Sequence, residues 1–162
     1  MSQKEVENIT SFFDAQSIPY QRIDHSPVLT SEEAAKVRGC PIEDGVKAMI
    51  VFARRGEREF YACADLPAHK KLDLKKLKEI LKADEVKLCP LDKIEQVTGC
   101  APGGVPPLGH TPKLPVLADN SLFIRQTSEF NAGQNTVSIR LKTADLRKAF
   151  EAYGAAFFDF SE

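Results

Sequence analysis

The chain has no tryptophan, only three histidines, and no excess of either charge. Its four cysteines, Cys40, Cys63, Cys89 and Cys100, form no C-x-x-C pair, and His25, His69 and His110 lack the spacing of metal ligands. No zinc site follows from such a scatter, so neither a metal nor a cofactor is expected. Scattered cysteines suit reduced, mostly buried thiols in a cytosolic protein. A net charge of -1 supplies no global field toward nucleic acid or a membrane, so such a partner would need a local patch. No apolar run is long enough to span a bilayer, and no membrane partner is expected. The opening residues, Met-Ser-Gln-Lys-Glu-Val-Glu, are polar and charged, so no secretory signal is read and the expected location is cytoplasmic. The chain also lacks a G-x-G-x-x-G turn, a Walker loop, a G-x-S-x-G elbow and an H-E-x-x-H helix. Asp24-His25-Ser26 holds the residue types of a catalytic triad, but neighbours in sequence do not bring their side chains together as one.

What is present is an ordinary globular composition, 43% hydrophobic and 28% charged over 162 residues, which fits one domain over residues 1–162. Val6, Ile9, Phe12 and Phe13 form one apolar helical stripe that Pro19 ends, with a short strand over residues 19–23. Thr30-Ser31-Glu32-Glu33 is a capping box that starts a helix to about Arg38, stopped by Gly39 and Pro41. Residues 46–53 read as a strand apolar on both faces, turned by Arg54-Arg55-Gly56-Glu57 into a partner strand over 59–66. A helix with Leu74, Leu77 and Leu81 follows Asp73 as its N-cap, then a strand over 86–88 and a helix over 92–97. Strands are expected over 114–117, 122–126 and 136–141, a polar loop over 127–135, and a last helix capped by Thr143. Residues 155–160 are apolar enough to pack back on the body. The irregular interleaving points to an α+β domain with a mixed sheet and helices around it.

Residues 98–109 hold four glycines and three prolines within twelve positions. Glycine permits close approach and positive φ, and proline fixes φ and removes a donor. Such a loop is shaped, and it either presents free N–H groups to an anion or carbonyl or serves as a tight connector. Lys47 is the only charge in the apolar strand 46–53. It is either a group in need of a ligand or a strand-end lysine whose stem packs while its head reaches water. The basic stretch 69–78, with lysines at 70, 71, 75, 76 and 78, is either a solvated helix face or a contact for phosphates. The loop 131–135 either lines a cleft or is a plain turn. Cys100, beside the Gly/Pro loop, is the best placed cysteine for a nucleophile, with a small buried thiol as the alternative.

Five blocks, in order, resemble the YbaK/prolyl-tRNA synthetase-associated domain family of aminoacyl-tRNA editing domains. They are Tyr20 with His25-Ser26-Pro27 and Thr30–Ala35; Gly45–Val51; Ala64-Asp65-Leu66 with Leu72–Leu77; Thr98-Gly99 with Gly103-Gly104-Val105-Pro106-Pro107-Leu108-Gly109; and Asn131-Ala132-Gly133 with Val137–Leu141. The lysine block and the Gly-Gly-x-x-Pro-x-Gly block together carry the specificity of the match. The resemblance implies a curved, half-barrel-like mixed β-sheet surrounded by helices. It also implies a free-standing, metal-independent deacylase acting in trans on tRNA. It maps a role in holding the 3′-terminal adenosine onto Lys47. It likewise implies that Gly103, which opens a G-x-x-x-P segment closed by Pro107, presents backbone to the ester. Substrate contacts are implied for Tyr20, at the cleft edge, and for His25, Gly104, Asn131, Ala132, Gly133 and Ser138. The basic stretch becomes a candidate contact for the tRNA acceptor end through Lys70, Lys71 and Lys75. The chain departs from the family in the loop Asn131–Asn135 and at Ser138, where some relatives carry an acid. That leaves the amino acid open among alanine, serine, threonine and cysteine, with tRNA for proline as the expected carrier. Small side chains are the ones binding alone rejects poorly. Whether a synthetase delivers the substrate is left open, as are two other readings: a non-catalytic tRNA- or nucleotide-binding module, and a thiol hydrolase using Cys100.

Overall fold

The structure, a computed structural model, describes residues 4–162; residues 1–3, part of the polar opening noted above, lie outside the described residues. Helix α1 (Lys4–Ala15) buries Val6, Ile9 and Phe13, the stripe expected from its 3.6-residue period. After β1 (Gln21–Asp24), helix α2 (Ser31–Arg38) starts at the capping box: the Glu33 N–H donates to Thr30 Oγ1 at 3.1 Å. Gly39, at φ 70°, closes that helix in the left-handed conformation.

Strands β2 (Val46–Arg55) and β3 (Arg58–Pro67) form a long antiparallel hairpin in register from Val46 opposite Pro67 to Arg55 opposite Arg58. Helix α3 (Leu74–Leu81), capped by Asp73, leads to β4 (Glu85–Leu88), which pairs with β2 only at Val51–Arg54. Helix α4 (Ile94–Thr98) enters the Gly/Pro loop, and β5 (Val116–Asp119) then lies parallel to β3. Strands β6 (Thr127–Asn131) and β7 (Val137–Lys142) pair antiparallel, with β1 on the far side of β7. Helix α5 (Thr143–Tyr153) and β8 (Ala156–Phe158) finish the chain, β8 parallel to β5. The mixed sheet therefore resolves into two open sheets, ordered β4-β2-β3-β5-β8 and β1-β7-β6, which touch at a bridge between Gly45 and Glu129.

One apolar cluster, including Phe13, Phe130, Ile139, Leu146 and Phe150, fills the space between α1, α5 and the sheets. A second, with Val51, Leu66, Leu77 and Phe160, lies under α3. Three expectations are corrected. The strand expected over 122–126 is instead a 3₁₀ turn, Asn120–Ile124, because the Asp119 carboxylate accepts the N–H groups of Ser121 (3.1 Å) and Phe160 (2.7 Å) and draws the backbone out of strand pairing. The stretch expected as a polar loop contains strand β6. Two of its polar residues are buried, each with a partner: Ser128 bonds Thr143 at 2.7 Å, and Glu129 forms an ion pair with Arg140 at 3.1 Å. Thr143 is the first residue of α5, and Lys142 occupies the cap position.

Candidate active site

The short reach of β4 leaves one edge of β2 bare. The Cys89 N–H bonds the Ile50 carbonyl at 2.9 Å, so by strand alternation the Ala48 N–H and C=O face the same side. That edge forms the floor of a cleft of about 330 Å³. One wall is the start of α2 and the residues before it, from Val28 to Arg38; the other is Pro102, Gly103 and Val105 of the Gly/Pro loop. Leu29 and Leu91, 83% and 75% exposed, stand at its rim.

Lys47 lines this cleft from the second position of β2. No acidic group lies within ion-pair distance of its ammonium among the described residues. Burial lowers its proton affinity below that of an ordinary lysine, and the charge of Glu32 acts weakly the other way. Gly103 lines the opposite wall at φ 88°. Its N–H is bonded to no acceptor among the described residues, while its carbonyl receives Asn131 Nδ2 at 2.6 Å. A free amide and an unpaired cation lining one cleft are groups that can stabilise developing negative charge.

Asn131 also lines the cleft and belongs to a hydrogen-bonded group at its back. Arg38 Nη2 donates to Asn131 Oδ1 at 2.8 Å, and Arg38 Nε donates to Ser138 Oγ at 2.8 Å. His25 Nε2 lies 2.7 Å from the same serine oxygen, and its Nδ1 lies 2.8 Å from the Ser26 carbonyl. Since a carbonyl only accepts, Nδ1 carries a proton, and Nε2 shares a hydrogen bond with the Ser138 hydroxyl. This serine–histidine contact is a brace, not a nucleophile and its base. Ser138 has no exposed surface, lies outside the cleft lining, and already receives the Arg38 guanidinium. Asp24, the remaining triad type, pairs with Arg22 at 3.0 Å instead.

The other residues singled out by sequence sit elsewhere. Tyr20, expected at the cleft edge, packs its ring 5.5 Å from that of Phe13 on α1 and does not line the cleft. Gly104 and Gly133 join two loops back to back: the Gly133 N–H donates to the Gly104 carbonyl at 2.8 Å, and a Cβ on Gly104 would come within 2.8 Å of Gln134 Cα. Ala132 is buried in the core, and Pro107 is buried behind the loop with its carbonyl 3.8 Å from the Cys63 thiol. Lys70 and Lys71 follow Ala68, a cleft residue, and Lys75 is exposed on the first turn of α3; none of the three lines the cleft. Cys100 is buried outside the cleft, and burial, with Glu5 and Glu95 nearby, pushes its thiol up to about 12. Cys89 does line the cleft, but its thiol donates to the Pro90 carbonyl at 3.5 Å and burial raises its pKa too.

Sequence reasoning missed Arg38, because a basic residue in the last turn of a helix before a glycine is the usual complement to the helix dipole. Burial lowers its proton affinity, opposed by nearby Cys40 and Glu129. The Arg140 guanidinium pairs with Glu129 and donates through Nη2 to the Arg38 carbonyl at 2.7 Å, which ties this layer to β6 and β7.

A model of the aminoacyl-tRNA editing domain matches residues 25–149 of the chain. The chain is 28% identical over 140 residues to the multifunctional Ser/Thr-tRNA deacylase ProXp-y of Escherichia coli (strain K12), covering 86% of this chain and 84% of that one. It is 26% identical over 148 residues to the prolyl-tRNA editing protein ProX of Acetoanaerobium sticklandii, covering 89% of each. Among solved structures, the crystal structure of hypothetical protein APE2540 superposes with a TM-score of 0.85 at 25% identity, over 96% of this chain and all of that one.

Proposed function

Because the chain belongs to the aminoacyl-tRNA editing domain family, we propose that it is a free-standing deacylase that hydrolyses, in trans, the ester of a mischarged tRNA carrying a small amino acid. The observation that carries this reading is the pairing of Lys47 and Gly103 across one cleft. Attack of water on the ester carbonyl puts negative charge on its oxygen, and the free Gly103 amide is the donor for that charge. The Lys47 ammonium offers a charged donor to a ribose or phosphate oxygen of the terminal adenosine. The bare edge of β2 gives the Ala48 backbone groups to the same ligand. Catalysis is by positioning, without a covalent intermediate. The free ribose hydroxyl beside the ester is well placed to guide the water.

Lys70, Lys71 and Lys75 contact acceptor-end phosphates, which needs charge and no base reading. The net charge of -1 gives little long-range pull on tRNA, so a synthetase that hands over the substrate fits this chain. The whole chain works as one domain, in the cytoplasm where charged tRNA is found. No described helix is long and apolar enough to cross a membrane.

The test is deacylation of alanyl, seryl, threonyl and cysteinyl esters, each on tRNA for proline and on its own tRNA. Rapid loss of at least one ester is expected. Binding of a mischarged tRNA with no loss above the buffer rate would leave a binding module of the same fold. A thiol mechanism predicts a dead Cys100→Ser enzyme; with the thiol buried and held neutral, that variant is expected to turn over within about twofold of wild type.

A further inference from the structure

We propose that Arg38 is a positioning residue for the Gly103 amide, acting through Asn131. Gly103 has no side chain to anchor it and sits at φ 88°. The peptide that follows it is held at both ends instead. The Gly104 N–H donates to the Ala101 carbonyl at 3.0 Å, and the Gly103 carbonyl receives Asn131 Nδ2 at 2.6 Å. These two bonds set the plane of that peptide, and the Gly103 φ of 88° carries its orientation to the preceding peptide, whose N–H has no acceptor among the described residues.

The Asn131 bond works only if the amide presents nitrogen, not oxygen, to the Gly103 carbonyl. An asparagine amide has two nearly isosteric orientations, and its partners decide between them. Here the decision is made by Arg38. Its guanidinium is a planar, donor-only fork that gives Nε to Ser138 and Nη2 to Asn131 Oδ1, both at 2.8 Å. A donor on that side holds the amide oxygen there and turns Nδ2 toward Gly103. Ser138 Oγ also donates to Asn131 Oδ1, but at 3.2 Å and with a single proton that His25 Nε2 at 2.7 Å competes for, so the shorter, charged Arg38 donor dominates. Arg38 is itself held by Arg140, which is paired with Glu129. The order of dependence thus runs from β6 and β7, through the end of α2, to the loop across the cleft.

The experiment is a double-mutant cycle of Arg38→Lys and Asn131→Ala in the full chain, with two readouts. The first is the NMR resonance of the Gly103 amide; the second is single-turnover deacylation of the ester the protein removes, followed over a range of protein concentrations. Lysine keeps the charge but not the fork, so the Gly103 amide resonance shifts. The single-turnover rate falls about 10- to 100-fold, the scale of a small misplacement of a catalytic group. The half-saturating protein concentration in the single-turnover series stays within about threefold. Adding Arg38→Lys to Asn131→Ala slows the enzyme by no more than about twofold further, because the link is already cut. An unchanged Gly103 amide, or rate losses that multiply in the double variant, would overturn the proposal. If Arg38→Lys does not fold, Arg38→Gln carries the same readouts. The rate arm rests on the deacylase reading; the amide arm does not. A protein inactive on every ester would remove that reading and still leave the Gly103 resonance to decide on Arg38.

Discussion

Lys47→Met is expected to lower deacylation by roughly 100-fold, the scale of losing one preorganised donor to a developing charge, while the melting temperature stays close to wild type. Methionine keeps an unbranched apolar stem and removes the ammonium. That ammonium is half-buried, without an acidic group in ion-pair range among the described residues, and burial has already lowered its proton affinity. A partly desolvated cation with no protein partner is unfavourable by itself, and a ligand oxygen relieves it. Removing it should therefore be near neutral or stabilising for the fold and harmful to turnover. A purely architectural role makes the opposite forecast, a lost anchor at the start of β2 with activity falling only as the fold does. Lys47→Arg should not restore the rate, because the guanidinium is broader and presents its donors in a fixed fork. A Lys47→Met protein that deacylates as fast as wild type would remove Lys47 from the mechanism.

Local chemistry made much of this fold legible in the sequence. The Thr30–Glu33 capping box and the Asp73 cap rest on contacts within a few residues, the β2–β3 hairpin grows outward from one tight turn, and each appears where its pattern predicts. The cleft walls were legible for the same reason: Lys47 is odd in its strand, and the glycines and prolines of 98–109 mark a shaped loop. What local pattern hid depends on distant partners. Thr127–Asn131 looks too polar for a buried strand until Thr143 and Arg140 arrive to satisfy Ser128 and Glu129. Tyr20 reads as a cleft aromatic, but Phe13 on α1 takes its ring. Arg38 is eye-catching only once Asn131 and Ser138, about a hundred residues later, close on it.

Gly103→Ala is expected to lower deacylation by roughly 100-fold and to lower stability by about 1–2 kcal/mol, the strain of an L side chain in left-handed backbone. Space is not the obstacle: a Cβ there would meet nothing closer than 3.9 Å, namely Asn135 Cβ and the Val28 carbonyl. The effect must come through the backbone. To relieve φ 88°, the alanine variant has to rotate the peptide carrying the free N–H, and that N–H is the proposed donor to the ester oxygen. Gly154→Ala separates the two consequences. Gly154 closes α5 at φ 89°, a Cβ there would meet nothing within 4 Å, and the residue lies outside the cleft lining. It bears the same backbone strain, so thermal unfolding should show a similar loss, whereas its deacylation rate should match wild type at a temperature where both variants are folded. Equal rate losses in the two variants would mean that general destabilisation explains the Gly103 effect. A loss confined to Gly103→Ala ties the chemistry to the direction of one amide, which three features of the chain set together: a glycine free to adopt positive φ, an asparagine that holds its carbonyl, and an arginine that holds the asparagine.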